Sequence, residues 1–199
     1  MKKQLLIGCG HSRAKRMWVG ENTEWGELVT LDINPEVKPD IVHDLEKLPY
    51  PFEDNSFDEI HAYGVLEHLS DQGDHKSFLA QFEEFYRILK PSGYFVGIVP
   101  SEQGIIVPCG RDPKTNEIIN KVIFSPQQWG DPSHRRVINL VTLGFLSQDN
   151  YKQCGQTMMT DFRNIYKGDF VLGWHQDTGD LLNFVLQPIK EVPGWTSPK

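Results

Sequence analysis

A chain of 199 residues can bury one substantial core but is short for two ordinary domains, so a single α/β domain over residues 1–199 is expected. Hydrophobic residues make up 39% and charged residues 24%, and no apolar run approaches the roughly 18 residues of a membrane span, so a membrane partner is not expected. The net charge of −7 repels phosphate backbones and disfavours nucleic acid as a partner, although a local pair such as Arg135-Arg136 is invisible in that sum.

The amino terminus passes from Lys2-Lys3 straight into Leu5-Leu6-Ile7, too short an apolar stretch for a secretory signal. Cys9, Cys109 and Cys154 are odd in number and have no paired spacing, so they read as reduced thiols rather than a disulfide framework or zinc knuckle. Both features point to the cytoplasm.

Leu5-Leu6-Ile7 is a short apolar run ended by Gly8-Cys9-Gly10, the pattern of a buried parallel strand entering a tight turn. Gly26 to Asp32 supplies a second strand before Asn34-Pro35, and Ile41-Val42 a minimal third. After the polar turn Phe52 to Ser56, the run Phe57 to Tyr63 reads as a fourth. Lys76 to Lys90 places Phe78, Leu79, Phe82, Phe85, Tyr86 and Leu89 at helical spacing and is stopped by Pro91-Ser92-Gly93. A buried strand resumes from Tyr94 to Val99, giving the strand, helix, strand order of a parallel sheet.

Residues 101–136 are rich in Gly, Pro, Asn and charge, with only Val122-Ile123-Phe124 as a strand, and read as an insertion over one end of the sheet. Farther on, Phe170, Leu172 and Trp174 alternate before Asp177-Thr178-Gly179-Asp180, and Leu182, Phe184 and Leu186 alternate after it. This predicts a C-terminal antiparallel hairpin.

The first strand and its glycine turn acquire chemical meaning from Asp32, which ends the second strand 22 residues after Gly10. Glycines let the backbone approach a ligand, and an acid at the tip of the next strand can accept both hydroxyls of a ribose, so the pair predicts an adenosine-type ligand. Arg13 stands where a dinucleotide fingerprint wants its third glycine, which disfavours a nicotinamide cofactor. Asp44, after the third strand, can accept from an exocyclic adenine amine, or serve as a solvated turn aspartate.

Taken in order, Leu5-Leu6-Ile7-Gly8-Cys9-Gly10, Leu31-Asp32-Ile33, Asp44-Leu45 with Leu48-Pro49, Ser56-Phe57-Asp58-Glu59-Ile60, Val65-Leu66-Glu67-His68 and Ile88-Leu89-Lys90-Pro91-Ser92-Gly93-Tyr94 resemble the motifs of class I S-adenosylmethionine-dependent methyltransferases, here a small member of bacterial or phage type. The resemblance covers roughly the first hundred residues. It implies a three-layer, Rossmann-like α/β sandwich around a seven-stranded, mostly parallel sheet closed by an antiparallel pair. It implies S-adenosylmethionine as cofactor, with Gly8, Cys9, Gly10 and His11 on its methionine and ribose side and Asp32 on the ribose. Ile33 would face the adenine, Asp44 and Leu45 its edge, and the backbone of Ala62 and Tyr63 the amino group. Two positions depart from the pattern: Leu6 replaces an acidic residue and Ser12 the third glycine.

The implied activity is in-line methyl transfer to a small-molecule acceptor. The alternatives are a non-catalytic S-adenosylmethionine-binding protein on the same fold and, more distantly, a nucleotide-linked oxidoreductase. The acceptor pocket would draw on His11, Tyr63, Glu102, Trp129 and His134, with His134, Tyr63 and His11 the candidate catalytic groups, and 101–136 as a lid. His134, in a segment Asp131 to Arg135 that looks like one in small-molecule members, also suits a loop-fixing role. Glu67-His68 is expected to start a helix and support structure. No metal site is expected from the even spacing of His61, His68 and His75, because they fall on a strand, a helix start and a loop.

Overall fold

The computed structural model describes residues 1–21, 23–103, 105–123 and 126–190. Its main sheet contains β1 (Lys3–Ile7), β2 (Glu27–Asp32), β3 (Ile41–Val42), β4 (Phe57–Tyr63), β5 (Leu89–Pro100), β8 (Phe170–Asp177) and β9 (Leu181–Pro188). The spatial order is β3-β2-β1-β4-β5-β9-β8. The first five strands are parallel, and β9 runs antiparallel to both β5 and β8. This is the expected seven-stranded sheet with its closing hairpin. Ile7 lies in register with Leu31 on one side and Ala62 on the other. Strand addition therefore reverses direction between β1 and β4, and their carboxyl ends open a crevice there.

One sheet face is apolar. Helix α1 (His75–Ile88), whose amide at Ser77 donates to the capping Asp74 carboxylate at 3.1 Å, buries Phe78, Leu79, Phe82, Phe85 and Ile88 against it. The Phe85 and Phe95 rings stand 4.9 Å apart and those of Phe82 and Phe95 5.5 Å, so aromatic packing joins helix to sheet. The helix stops two residues before the expected Lys90, because the residue before Pro91 is disfavoured in helical backbone. Leu143, Leu146, Tyr151 and Tyr166 complete this layer.

The other face is polar, and among the described residues it is covered without a regular helix. Between β1 and β2 the chain forms irregular backbone, where a parallel crossover ordinarily uses a helix. Side chains rising from the sheet hold it. Gln4 Oε1 accepts from the Gly26 amide at 2.6 Å, and the Met17 amide donates to the Tyr63 hydroxyl at 3.3 Å. Glu59, buried, accepts from Lys2 at 2.8 Å, pairs with His61 Nε2 at 2.9 Å, and has the buried Lys15 ammonium 3.6 Å away. Trp25 packs edge-on to His61 at 4.8 Å and donates its indole N–H to the Arg13 carbonyl at 2.5 Å.

Two sequence expectations change. In β8 an irregularity in pairing between Leu172 and Trp174 adds a residue, which breaks the alternation and turns Trp174 to the polar face, 47% exposed. Within 101–136, β6 (Ile105–Arg111) and β7 (Ile118–Ile123) form a separate antiparallel ribbon, followed by the short helix α2 (Pro126–Trp129). A two-stranded ribbon has only edge strands, which tolerate Pro108 and the bulge before Gly110, so those residues do not prevent pairing. Phe124, expected to end a strand, lies outside the described residues.

Gly97 on β5 sits under the Phe184 ring, where an added Cβ would come within 2.1 Å of an aromatic carbon. Gly97→Ala should lower unfolding free energy by about 1–3 kcal/mol in urea titrations. Gly144→Ala in α3 (Leu140–Gly144), whose nearest contact would be 3.6 Å, should leave it unchanged.

The polar face makes stability pH-dependent. Burial alone would raise the Glu59 carboxyl, but hydrogen bonds from His61, Lys2 and Gln4 outweigh it and hold it at about 2, below the ordinary 4.5. Burial lowers the His61 pKa from 6.5, so the folded state favours the neutral ring. The unfolded chain takes up protons first in both cases, so both contributions are present at neutral pH. His61's is lost as pH falls below 6.5, and Glu59's between 4.5 and about 2. Glu59→Gln should flatten the lower part of the acid limb in urea midpoints measured from pH 7 to pH 3. An unchanged slope would show that the network does not set acid stability.

Candidate functional site

The crevice begins at the two turns that flank it. Gly8, after β1, has φ +57°, and a Cβ there would lie 2.5 Å from Val65 Cγ2 on the turn after β4. Both the left-handed backbone and the close approach require glycine. Gly10 also has positive φ, at +51°, and its amide donates to Asp32 Oδ2 at 2.8 Å. Ser12, where a third glycine is usual, is not among the residues with positive φ, so its side chain brings no backbone strain. Arg13 donates to the carbonyls of Gly10 at 2.6 Å and Val37 at 2.9 Å, tying the glycine turn to the turn after β2.

A cavity of about 350 Å³ opens beside this turn, lined by Gly8, Asp32, Ile33, Asp44, Leu45 and His68 among others. Asp32 Oδ1 accepts from the Asn34 amide at 2.9 Å. Each Asp32 oxygen thus takes one backbone hydrogen bond and keeps a lone pair for a ligand hydroxyl. Asp44 is fixed by the Glu46 amide at 3.0 Å. Ile33 is 63% exposed at the cavity edge, an apolar surface open to the flat face of a ligand. Cys9 is buried, and its thiol is pushed up by that burial, so it contributes packing rather than a reactive thiolate.

A second cavity, about 580 Å³, lies across the β4 turn and is lined by Arg16, Gly64, Glu67, Ile98, Gln127 and His134 among others. The segment from Gly64 to His68 is the shared wall, with Gly64 and Glu67 on this side and Val65 and His68 on the first. His134 Nδ1 lies 3.1 Å from the Gln128 carbonyl, and His68 Nδ1 lies 3.2 Å from the Ser133 carbonyl. Glu67 is buried and its carboxyl is raised by that burial. Its backbone carbonyl accepts from the Arg135 amide at 2.9 Å and the Arg136 amide at 3.1 Å, which anchors the segment that carries His134.

Several sequence assignments move. Glu67 and His68 sit in a single 3-10 turn, Leu66–His68, and the long helix begins only at His75, after the Asp74 cap. Ala62 packs in the core in register with Ile7 and Gly97, so its backbone serves the sheet; Gly64 is what reaches a cavity. The Tyr63 hydroxyl turns to the polar face, 2.6 Å from His61 Nδ1, and burial pushes it up to about 12. His11 and Trp129 are exposed and line neither cavity. Glu102 lines a separate cleft of about 100 Å³. Of the three candidate catalytic groups, only His134 reaches the larger cavity. His61 bonds within the polar face and His75 stacks on Phe162 at 4.9 Å, so neither meets His68. Gly64, Val65, Arg16 and Ile98 were not read as site residues, although Gly64 directly follows a predicted strand.

The basic pair Arg135-Arg136 is also spoken for. Arg135 bonds Asp71 and Glu46, each at 2.8 Å, and Arg136 donates to the carbonyls of Asp71 and Asp74, each at 2.7 Å. Among the described residues no helix is long and apolar enough to cross a membrane.

A mostly parallel sheet whose glycine turn and strand-end acid meet at a topological switch point is the architecture of the Rossmann-like class. Residues 5–97 match the methyltransferase domain family. The fold is similar to that of an S-adenosylmethionine-dependent methyltransferase from Methanosarcina mazei, with 17% identity over 96% of this chain and 93% of that one and a TM-score of 0.51. A Mesorhizobium loti methyltransferase gives 12% identity, 93% and 90% coverage and a TM-score of 0.51. Haemonchus contortus phosphoethanolamine N-methyltransferase 1, solved with phosphoethanolamine and S-adenosylhomocysteine, gives 14% identity, 99% and 41% coverage and a TM-score of 0.54. No curated protein matches the chain in sequence. Residues 5–97 thus carry a methyltransferase-domain match and the chain shares the fold of S-adenosylmethionine-dependent methyltransferases, which supports S-adenosylmethionine as the cofactor.

Asp32→Ala should weaken S-adenosylhomocysteine binding roughly ten- to hundredfold in calorimetry, the loss expected for charge-assisted hydrogen bonds to a ribose. Equal binding by the variant would remove Asp32 from the site.

Proposed function

We propose that this protein transfers the methyl group of S-adenosylmethionine to a small-molecule acceptor held in the larger cavity. The observation that carries this reading is the pair of cavities divided by Gly64 to His68, the smaller carrying two strand-end aspartates and the larger enclosed by the β4 and β5 turns and residues 127–134.

In this reading Gly8, Cys9, Gly10 and His11 serve the methionine and ribose side of the cofactor through their backbone. Asp32 accepts the ribose hydroxyls, Ile33 lies on the adenine, and Asp44 with Leu45 meets its edge. The bound cofactor supplies a methyl group on an already activated sulfonium. The chain therefore has mainly to align the acceptor with that carbon and exclude water, which supports a site built from walls and dipoles rather than a nucleophilic triad.

Residues 1–199 act as one domain, with 101–136 inserted to select the acceptor. Support for this comes from its return limb, where Gln127, Gly130, Asp131, Pro132 and His134 all line the larger cavity. A size of about 580 Å³ is in the range of small-ligand pockets, whereas a nucleic-acid groove calls for basic side chains that here bond within the chain.

Incubation with S-adenosylmethionine labelled in its methyl group and a cell extract should put label into the small-molecule fraction rather than into protein or nucleic acid. Gly130→Trp, which intrudes on the larger cavity, should cut that labelling at least tenfold while leaving S-adenosylhomocysteine affinity as in the parent. Label recovered in macromolecules, or full labelling by the variant, would overturn the reading.

A further inference from the structure

Three side chains on the wall between the two cavities converge on one point. Glu67, His68 and His134 each present a ligand atom, and these atoms all lie within 4.8 Å of one another. The two imidazoles come from different parts of the chain, and both are oriented in the same way. Nδ1 of His134 faces the Gln128 carbonyl at 3.1 Å, and Nδ1 of His68 faces the Ser133 carbonyl at 3.2 Å. A carbonyl oxygen only accepts, and the Ser133 hydroxyl, also 3.2 Å from His68 Nδ1, gives its one proton to Asp131 Oδ1 at 2.6 Å; each Nδ1 therefore carries the proton, and the neutral ring offers a bare lone pair at Nε2. Backbone carbonyls holding Nδ1–H while Nε2 stays open is the outer-shell arrangement of metal-ligating histidines.

The third ligand strengthens the case. Glu67 Oε2 is buried and has no hydrogen-bond partner, and Oε1 stands 4.0 Å from His134 Nε2, too far for a hydrogen bond. Burying a carboxylate oxygen without a partner is costly, and the charged groups that act on Glu67 are His68, His134 and Asp131 rather than an arginine. The cluster thus includes a buried acceptor, Glu67 Oε2, that lacks a donor. Asp131 Oδ2, 3.7 Å from His134 Nε2, can supply a fourth. Its other oxygen is already held by the Ser133 amide at 2.8 Å and hydroxyl at 2.6 Å.

We propose that Glu67, His68 and His134, with Asp131 as the fourth donor, bind a divalent transition-metal ion of the zinc class. Donor atoms within 4.8 Å of one another are close enough for side-chain rotation to bring them to the roughly 2.0–2.2 Å of zinc bonds. Imidazole and carboxylate together suit zinc, iron or nickel better than magnesium or calcium, which take oxygen alone. The site stands on the wall between the two cavities. It rests on donor geometry alone and does not depend on which acceptor is methylated.

The test uses the full chain stripped with a chelator and then dialysed. Titration with zinc chloride by calorimetry should show one equivalent bound. Glu67→Gln, His134→Asn and the surface variant Asp131→Asn should each weaken that binding at least tenfold, with circular dichroism confirming that each is folded. Cobalt(II) should give the intense visible bands of a four-coordinate site in the parent chain and lose them in Glu67→Gln. Absence of stoichiometric zinc binding by the parent would overturn the proposal. So would affinity unchanged in folded Glu67→Gln and Asp131→Asn, or a cobalt spectrum like that of the hydrated ion.

Discussion

The turn after β1 and the turn after β4 meet where Gly8 faces Val65, with no room for a Cβ and with backbone in the left-handed region. That contact fixes the height of the glycine loop above the sheet edge, and with it the position of the Gly10 amide on Asp32. The crevice at the switch point is therefore shaped by an absence of side chain on one wall and a branched apolar one on the other. The smaller cavity, the aspartate at the tip of β2 and the dividing segment all take their places from it.

The two sheet faces solve different problems. The apolar face is joined to α1 by close-packed phenylalanines, the ordinary way of burying strands on a helix. On the polar face, Gln4, Glu59, His61 and Tyr63 emerge beneath irregular chain, and their polar atoms meet the backbone groups that a helix would have satisfied internally. Lys2 and Lys15 compensate the buried Glu59 charge. The layer is stable because side chains of the sheet substitute for helical hydrogen bonds, and it is acid-sensitive for the same reason.

Between the cavities, one short turn does two jobs through different atoms. The Glu67 carbonyl receives the Arg135 and Arg136 amides and so positions the returning limb of the 101–136 segment, a structural role of the kind expected for this pair. Its carboxyl is buried beside His134, with Oε2 unpartnered. A residue whose backbone is structural and whose side chain is unsatisfied can belong to the scaffold and to the site together.

The strands of the main sheet, the long helix, the glycine turn and its aspartate were legible from the sequence because each depends on local pattern: apolar runs, helical spacing, and a proline or glycine at each stop. The spacing from Gly10 to Asp32 could be read because both lie at ends of adjacent parallel strands, and the structure joins them by a 2.8 Å hydrogen bond. What escaped the sequence was long-range or depended on one residue of register. The Trp174 side chain changed face because a bulge inserted a residue, and the 105–123 ribbon paired through backbone hydrogen bonds that composition does not encode. The meeting of Glu67 and His68 with His134 spans more than sixty residues of chain and is created only when backbone hydrogen bonds dock the returning limb on the β4 turn. Local chemistry determined which elements form and where a glycine turn meets a strand-end acid; the placement of side chains from distant segments on a common wall was decided by tertiary packing, because no periodicity links residues that far apart.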